Sequence, residues 1–201
     1  MQTIFDDLLA AFRTVLSGMD SWLVRDAIDR IEWQMSPRTL EAKTLPCLRH
    51  LDEINEIAAD FARPLVALLC EHPDVLCWGQ TYTEKDFSKA FLDNYGWLEL
   101  FGTRGHFVNE DAAAGLLILG PRILYPDHHH LAEEIYVPLT GGAFWRMGEG
   151  PFTMRDAGEV VHHRSNVNHA MRTGDRPLLA LYIWRGGPLA AKSTLTGEPA
   201  Q

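Results

Sequence analysis

The chain has 201 residues, of which 46% are hydrophobic and 22% are charged, and its formal net charge is −9. This composition is typical of a folded globular protein and excludes an intrinsically disordered chain. The negative charge disfavours nucleic acid and anionic membrane surfaces as partners, because both call for concentrated basic residues. The length accommodates one barrel domain with an appended helical layer.

The cysteines and the N-terminus indicate the compartment. Cys47, Cys70 and Cys77 are odd in number and lack a CxxC spacing, so reduced thiols are expected rather than a disulfide framework or a zinc-thiolate site. The first residues carry two aspartates where a signal peptide has positive charge, and no apolar run reaches the length of a membrane span. These features predict a cytoplasmic protein.

The first segments of the chain are predicted to be amphipathic helices. From Ile4, apolar residues recur at three- and four-residue intervals, with Thr3 as an N-cap and Gly18 as a stop signal. A second apolar stripe follows Asp20 and continues until Pro37 interrupts it.

Two more helices are predicted between Pro46 and about His72, with Pro64 marking a break or a helix start. Residues 1–75 are therefore predicted to form a helical extension that packs on the outside of the remaining chain. Because its faces are apolar, this extension is also a candidate contact surface for a homodimer.

After Pro73 the sequence changes to short β-rich runs separated by Gly, Pro, Asp and Asn. These runs are VLCWGQTY, GLLILGPRILY, EEIYVPL, GAFWRM, EVVHH and LLALYIW. Strands at a spacing of roughly ten residues predict a sandwich or barrel, so residues 76–201 are expected to be mainly β. Residues 87–101, FSKAFLDNYGWLELF, are compatible with a helix that closes one end of it.

An H-x-H-x3-E string in the β-rich part points to a metal site. If one strand runs through it to Tyr136, then His128, His130 and Glu134 share a face with Tyr136, whereas His129 lies on the opposite face. Two imidazoles and a carboxylate on one rigid face can supply three ligands to a divalent transition metal.

A further ligand must come from elsewhere in the chain, and the segment GEVVHHRSNVNHA holds the candidates His162, His163 and His169. A single histidine is more often a surface or hydrogen-bonded core residue than a ligand. His129, His162 and His163 are therefore weak candidates individually, and the string together with one distant histidine carries the prediction.

The spacing of these residues resembles the two motifs of the cupin superfamily. The first motif, H-x-H-x3-E-x6-G, reads here as His128, His130, Glu134 and Gly141. In the second motif, G-x5-P-x-G-x2-H-x3-N, Gly158 and His169 match. The resemblance implies a cupin β-barrel, of jelly-roll type, with one bound metal.

Four positions depart from the cupin pattern. Arg164 replaces a proline, Asn166 a glycine, Thr173 the last asparagine, and Arg122 the glycine expected six residues before the first histidine. Asn is the residue that best replaces Gly in a left-handed turn. These departures bear on loop geometry rather than on the metal ligands.

The chain resembles more closely the cupin-type dimethylsulfoniopropionate (DMSP) lyases of marine bacteria, the Q-type in particular. The shared features are the helical first third, the chain length and a Y-x2-H-x-H-x3-E-x-Y string formed by Tyr125, His128, His130, Glu134 and Tyr136. The resemblance implies that a metal is surrounded by His130, Glu134, Tyr136 and His169, with His128 as an alternative ligand or a substrate contact. Fe, Zn, Mn, Co and Ni all suit this donor set.

The implied reaction is the β-elimination of DMSP, a small-molecule substrate, to dimethyl sulfide and acrylate. It requires a base for the proton α to the carboxylate, and a phenol held near a divalent cation is shifted toward phenolate. Tyr136 is the first candidate for this base, and Tyr125 is the second candidate, as base or as orienting group.

Aromatic faces suit a sulfonium ion, which cannot donate hydrogen bonds. The resemblance favours Trp184 and Tyr125 as substrate-binding residues. Trp145, Tyr95 and Trp97 are further candidates.

Two other functions fit the same motifs. A cupin with two histidines and one glutamate often holds Fe(II) for a dioxygenase reaction, which would depend on oxygen whereas a lyase would not. A non-enzymatic cupin that binds a small molecule is the other alternative, although the complete ligand string argues against it.

Overall fold

The structure, a computed structural model, describes residues 3–197. In this range the α-helices are α1 (Ile4–Ser17), α2 (Trp22–Asp29), α3 (Leu51–Ile57), α4 (Arg63–Glu71) and α5 (Lys89–Leu92). Short 3-10 helices cover Pro46–His50 and Asp60–Ala62. Among these residues no helix is both long and apolar enough to cross a membrane.

The strands are short and follow one another closely after residue 77. They are β1 (Trp78–Gly79), β2 (Tyr95–Gly102), β3 (Phe107–Val108), β4 (Ala112–Leu119), β5 (Leu124–His129), β6 (Glu133–Pro138), β7 (Ala143–Met147), β8 (Thr153–Arg155), β9 (Val161–His163), β10 (His169–Arg172), β11 (Leu178–Arg185) and β12 (Thr194–Leu195).

These strands form two sheets. The larger sheet has the order β1-β2-β4-β11-β6-β9, with β3 added parallel to β2, and the smaller sheet has the order β12-β5-β10-β7-β8. The other strand pairs are antiparallel. The predicted mainly β fold of cupin type is confirmed.

Helix α1 begins and ends where the sequence predicts. Thr3 and Asp6 form a capping box, in which each side chain bonds the backbone of the other residue, and Gly18 follows the last turn. The buried face of α1, including Phe12 and Leu16, joins one hydrophobic cluster with residues of the larger sheet such as Phe101. The helical layer therefore covers the outer face of that sheet.

The second predicted helix is shorter than its apolar stripe. Helix α2 ends at Asp29, and the chain after it runs in extended form beside the sheet. The amide of Lys43 donates to the carbonyl of Leu76, and the amide of Trp78 donates to the carbonyl of Lys43. Since the N-terminal segment thus bonds to the start of β1, the division near residue 75 remains an interpretation.

The helix expected over residues 87–101 is mostly absent. Only Lys89–Leu92 is helical, and Tyr95–Gly102 forms β2, which pairs with β4 along its length. The apolar residues of YGWLELFG are buried on both faces of this strand, between the helices and the second sheet. Tertiary burial thus overrides the local helical pattern.

Two of the cupin departures occupy turns that favour glycine. Arg122 and Asn166 both have φ 58°, in the left-handed region. Thr173, in place of the cupin asparagine, donates its hydroxyl to the carbonyl of Gly120 at 2.6 Å and accepts from the amide of Ile123 at 2.9 Å. Arg122, Asn166 and Thr173 therefore adopt the turn conformations at positions where the cupin pattern has glycine or asparagine.

Candidate metal centre and active site

The histidine string is not a single strand. Strand β5 ends at His129 in the smaller sheet, a turn follows, and β6 begins at Glu133 in the larger sheet. The predicted continuous strand is therefore wrong. His128, His130 and Glu134 nevertheless converge, because the two sheets face each other and direct these side chains into the interior between them.

Three histidines come together in this interior. His128, His130 and His169 are 2%, 6% and 1% exposed, and one ring nitrogen of each lies within 4.8 Å of the others. Each Nδ1 bonds a backbone carbonyl; the acceptors are Pro126, Ala132 and Val167, at 2.8, 2.7 and 2.9 Å. A carbonyl only accepts, so every Nδ1 carries the proton and the Nε2 atoms face the cluster.

Glu134 lies at the centre of the cluster. Its Oε2 is 3.2 Å from His130 Nε2 and 3.4 Å from His169 Nε2, and its Oε1 accepts a hydrogen bond from the indole of Trp184. Burial alone would raise the pKa of Glu134, but hydrogen bonds from the surrounding imidazoles hold this pKa well below its usual range. The carboxylate is therefore charged and available to a cation.

His163 completes a second group, with Glu134 and His169, whose ligand atoms also lie within 4.8 Å of one another. It pairs with Glu134 across β6 and β9, stacks on His169 at 3.8 Å between ring centroids, and is fully buried. Burial lowers its pKa to about 4, so the ring is neutral. The sequence analysis treated His163 as a weak candidate. Adjacent residues of a strand point to opposite faces, so His163 points inward where His162 points outward, and this alternation is a signal for it.

The two other weak histidine candidates lie outside the cluster. His162 bonds Glu133 at 2.5 Å, and His129 bonds Asn168 at 3.1 Å. Both are partly exposed. Their side chains are engaged in these pairs rather than in the His/Glu group.

The donor set fits a divalent transition metal. It combines imidazole nitrogens with one carboxylate in a buried position. Among the described residues, His163 Nε2 is buried without a hydrogen-bond partner, and His169 Nε2 makes no hydrogen bond of good geometry although it lies 3.4 Å from Glu134 Oε2. Buried nitrogens without partners are unusual in folded proteins, and a cation at this point would satisfy them.

Tyr136 and Tyr125 lie beside the cluster in one pocket with His128 and Glu134. Burial and the charge of Glu134 raise the pKa of Tyr136 well above its ordinary value. Tyr125 stacks on His128 at 4.1 Å, shares a 2.8 Å hydrogen bond with the hydroxyl of Tyr82, and has a pKa raised by burial.

Trp184 supports the cluster directly. One face of its ring stacks on His130 at 4.1 Å while its indole N–H donates to Glu134. Trp145 packs in the buried aromatic cluster between the sheets, and Tyr95 and Trp97 line the pocket.

The pocket is open to solvent and offers about 50 Å³ of space that water can enter. Its wall also contains Glu99, Arg104 and Tyr182. Glu99 and Arg104 were missed by the sequence analysis, because no local motif marks a carboxylate that strand pairing brings into the pocket.

Comparisons with known proteins agree with this geometry. The family model for dimethylsulfoniopropionate lyase matches residues 23–180. The chain is 38% identical over 109 residues to dimethylsulfoniopropionate lyase DddQ of Ruegeria pomeroyi, a match that spans 54% of each chain and so about half the length of that relative.

Two crystal structures resemble the whole chain. The DMSP lyase DddQ from Ruegeria pomeroyi has a TM-score of 0.87 at 27% identity, with 100% of both chains covered. A structure from a study of the DMSP lyases RdDddP and RnDddQII has a TM-score of 0.85 at 28% identity, covering 96% of this chain and 97% of the other.

Proposed function

The chain belongs to the dimethylsulfoniopropionate lyase family, and from this premise we propose that it is a metal-dependent lyase that cleaves DMSP to dimethyl sulfide and acrylate. The observation that carries the proposal is the buried His/Glu cluster that shares one pocket with two tyrosines. Fold and family alone would leave the reaction open, whereas this combination supplies both a metal site and a base.

We assign the metal to His130, Glu134 and His169, with Tyr136 or His128 completing the donors. A bound divalent cation would bind the substrate carboxylate oxygens, where negative charge grows during α-proton removal. It would also lower the pKa of a nearby phenol. Fe, Zn, Mn, Co and Ni remain the candidates, since imidazole and carboxylate ligands suit all of them.

Tyr136 is the proposed base. As the phenolate, with its own proton already lost to solvent, Tyr136 takes the proton from the α carbon, the electron pair of that C–H bond forms the double bond of acrylate, and the carbon–sulfur bond breaks. Sulfur keeps the electron pair of that bond and leaves as neutral dimethyl sulfide, so no general acid is needed. Because burial and the charge of Glu134 raise the pKa of Tyr136 in the protein alone, we expect dimethyl sulfide release to depend on bound metal.

The neighbouring residues hold this arrangement in place. Trp184 fixes Glu134 through its indole N–H and covers His130. Tyr125, held by its bonds to Tyr82 and its stacking on His128, is assigned an orienting role toward the substrate. The aromatic surroundings lower the local dielectric constant around the cluster, which strengthens the electrostatic interactions inside it.

The direct test is headspace detection of dimethyl sulfide after mixing the purified protein with DMSP and each candidate metal in turn. We expect equimolar acrylate, measured by proton NMR, and equal rates with and without oxygen. Turnover that requires oxygen would support the dioxygenase instead. Absence of dimethyl sulfide with all five metals, in protein that has bound metal, would refute the proposal.

A further inference from the structure

Glu99 is a buried carboxylate in the pocket wall that the proposed chemistry does not use. It is 2% exposed and lines the same pocket as Glu134 and Tyr136. Burying a carboxylate is expensive unless it is paired, and Glu99 is paired with Arg104, which lines the same pocket.

The backbone around Glu99 is specialised for directing this side chain inward. The register of β2 against β4 shifts between Glu99 and Phe101, which marks a bulge of the kind that re-aims side chains. The residue opposite Glu99 is Gly115, where an added Cβ would lie 1.8 Å from the carbonyl oxygen of Leu98. An added Cβ at Gly102 would lie 2.6 Å from the Glu99 carboxylate.

Arg104 holds the carboxylate from the other side. Its backbone amide donates to Glu99 Oε1 at 2.6 Å, and its Nε and Nη2 lie 3.2 and 3.1 Å from Oε2. The guanidinium lies over the ring of Trp97, 4.8 Å from the ring centroid. Arg104 is thus anchored twice, and it compensates the charge of Glu99 at the outer side of the wall.

The strand register relates Glu99 to the proposed base. One cross-strand row of the larger sheet runs from Glu99 through Gly115 and Tyr182 to Tyr136. Two strands lie between the ends, so their backbones are about 14 Å apart at roughly 4.8 Å per strand. Glu99, Tyr182 and Tyr136 all line the same pocket, and at Gly115 the backbone of Leu98 lies too close for any side chain.

We propose that Glu99 is a specificity-determining residue that forms, with the ring of Tyr182, a subsite for the cationic onium end of the substrate. Arg104 is its positioning partner. This inference rests on the proposed function, in which the metal cluster receives the carboxylate end. It explains why the pocket lining carries a second acid beside aromatic faces, which favour a cation without hydrogen-bond donors.

The chemistry gives this subsite an unusual kinetic signature. The positive charge on sulfur is lost as dimethyl sulfide departs, so a carboxylate beside it stabilises the ground state more than the transition state. Glu99→Gln should therefore raise KM for DMSP by about tenfold and leave kcat unchanged or higher. A merely structural role would lower kcat as well.

Two isosteric ligands test the subsite without turnover. 3-(Trimethylammonio)propanoate and 4,4-dimethylpentanoate share one shape and differ by a single positive charge at the tip. Calorimetry on the metal-loaded protein should show about tenfold tighter binding of the cationic ligand, the scale of one partly screened charge pair. Glu99→Gln should abolish this preference.

The double variant Glu99→Gln with Arg104→Gln leaves no unpaired charge, so it should fold even if Glu99→Gln alone does not, and it should also lack the preference. A preference below about twofold in the parent protein would overturn the inference. Retention of the cationic preference in Glu99→Gln would do the same. A cationic preference without release of dimethyl sulfide from DMSP would support the subsite and refute only the lyase reaction.

Discussion

Replacing Tyr136 by Phe removes the one oxygen to which the proposed mechanism assigns the α proton, while the ring keeps its place in the sheet. Removal of a general base commonly slows a reaction by about a hundred- to ten-thousand-fold, which corresponds to about 3 to 5 kcal/mol of activation free energy. The His/Glu donors are untouched, so most bound metal should remain. Some metal loss is expected only if the phenol itself coordinates.

Tyr125→Phe is the matched control, and the structure predicts that it affects stability more than rate. The buried hydroxyls of Tyr125 and Tyr82 share a 2.8 Å hydrogen bond, so this change leaves Tyr82 without that partner and should lower the free energy of unfolding by about 1 to 2 kcal/mol. Its effect on rate should be the smaller of the two. Tyr136→Phe should change stability by no more than about 1 kcal/mol.

The assay combines initial rates of dimethyl sulfide release, metal content by mass spectrometry and urea unfolding for both variants. Residual activity above about a tenth of the parent in metal-retaining Tyr136→Phe would be too much for loss of a general base and would remove Tyr136 from that role. A greater loss of rate in Tyr125→Phe would reverse the assignment of the two tyrosines.

Three further outcomes are expected. Alanine at His130, Glu134 or His169 should remove most of the bound metal. His162→Ala, outside the cluster, should not. Metal content by mass spectrometry tests both expectations. His163→Phe keeps the buried stacking but removes the Nδ1 contact to Glu134, and should weaken metal binding by about ten- to a hundredfold in chelator competition. His106, 2% exposed, accepts the amide of Cys77, and burial lowers its pKa to about 4. Since its pKa in the unfolded chain is near 6.5, the free energy of unfolding should decrease by about 2 to 3 kcal/mol as pH falls from 6.5 to 4. In His106→Leu, urea unfolding should show a smaller decrease over the same pH range.

The sequence predicted the features that depend on local chemistry. Thr3 and Gly18 delimit α1 because capping is a matter of a few adjacent residues. The grouping of His128, His130, Glu134 and His169 was also predictable, since their spacing reflects where two strands enter the same interior.

What the sequence could not predict depends on pairing between distant segments. Tyr95–Gly102 has an ambiguous pattern, and only the space between helices and second sheet makes it a strand. Glu99 enters the pocket through a bulge against Gly115, some sixteen residues away. The orientation of His163 likewise follows from its register against Glu134.

The distribution of the candidate ligands over the two sheets has a mechanical consequence. His128 and His169 come from strands of the smaller sheet, whereas Glu134 and His163 come from the larger one. A cation held by both sets would cross-link the sheets and oppose any breathing motion that parts them. Because ligand binding to the native state stabilises it by mass action, amide hydrogens of β5 and β10 would exchange more slowly in the metal-loaded protein, and chelation would loosen the sandwich from its centre outward.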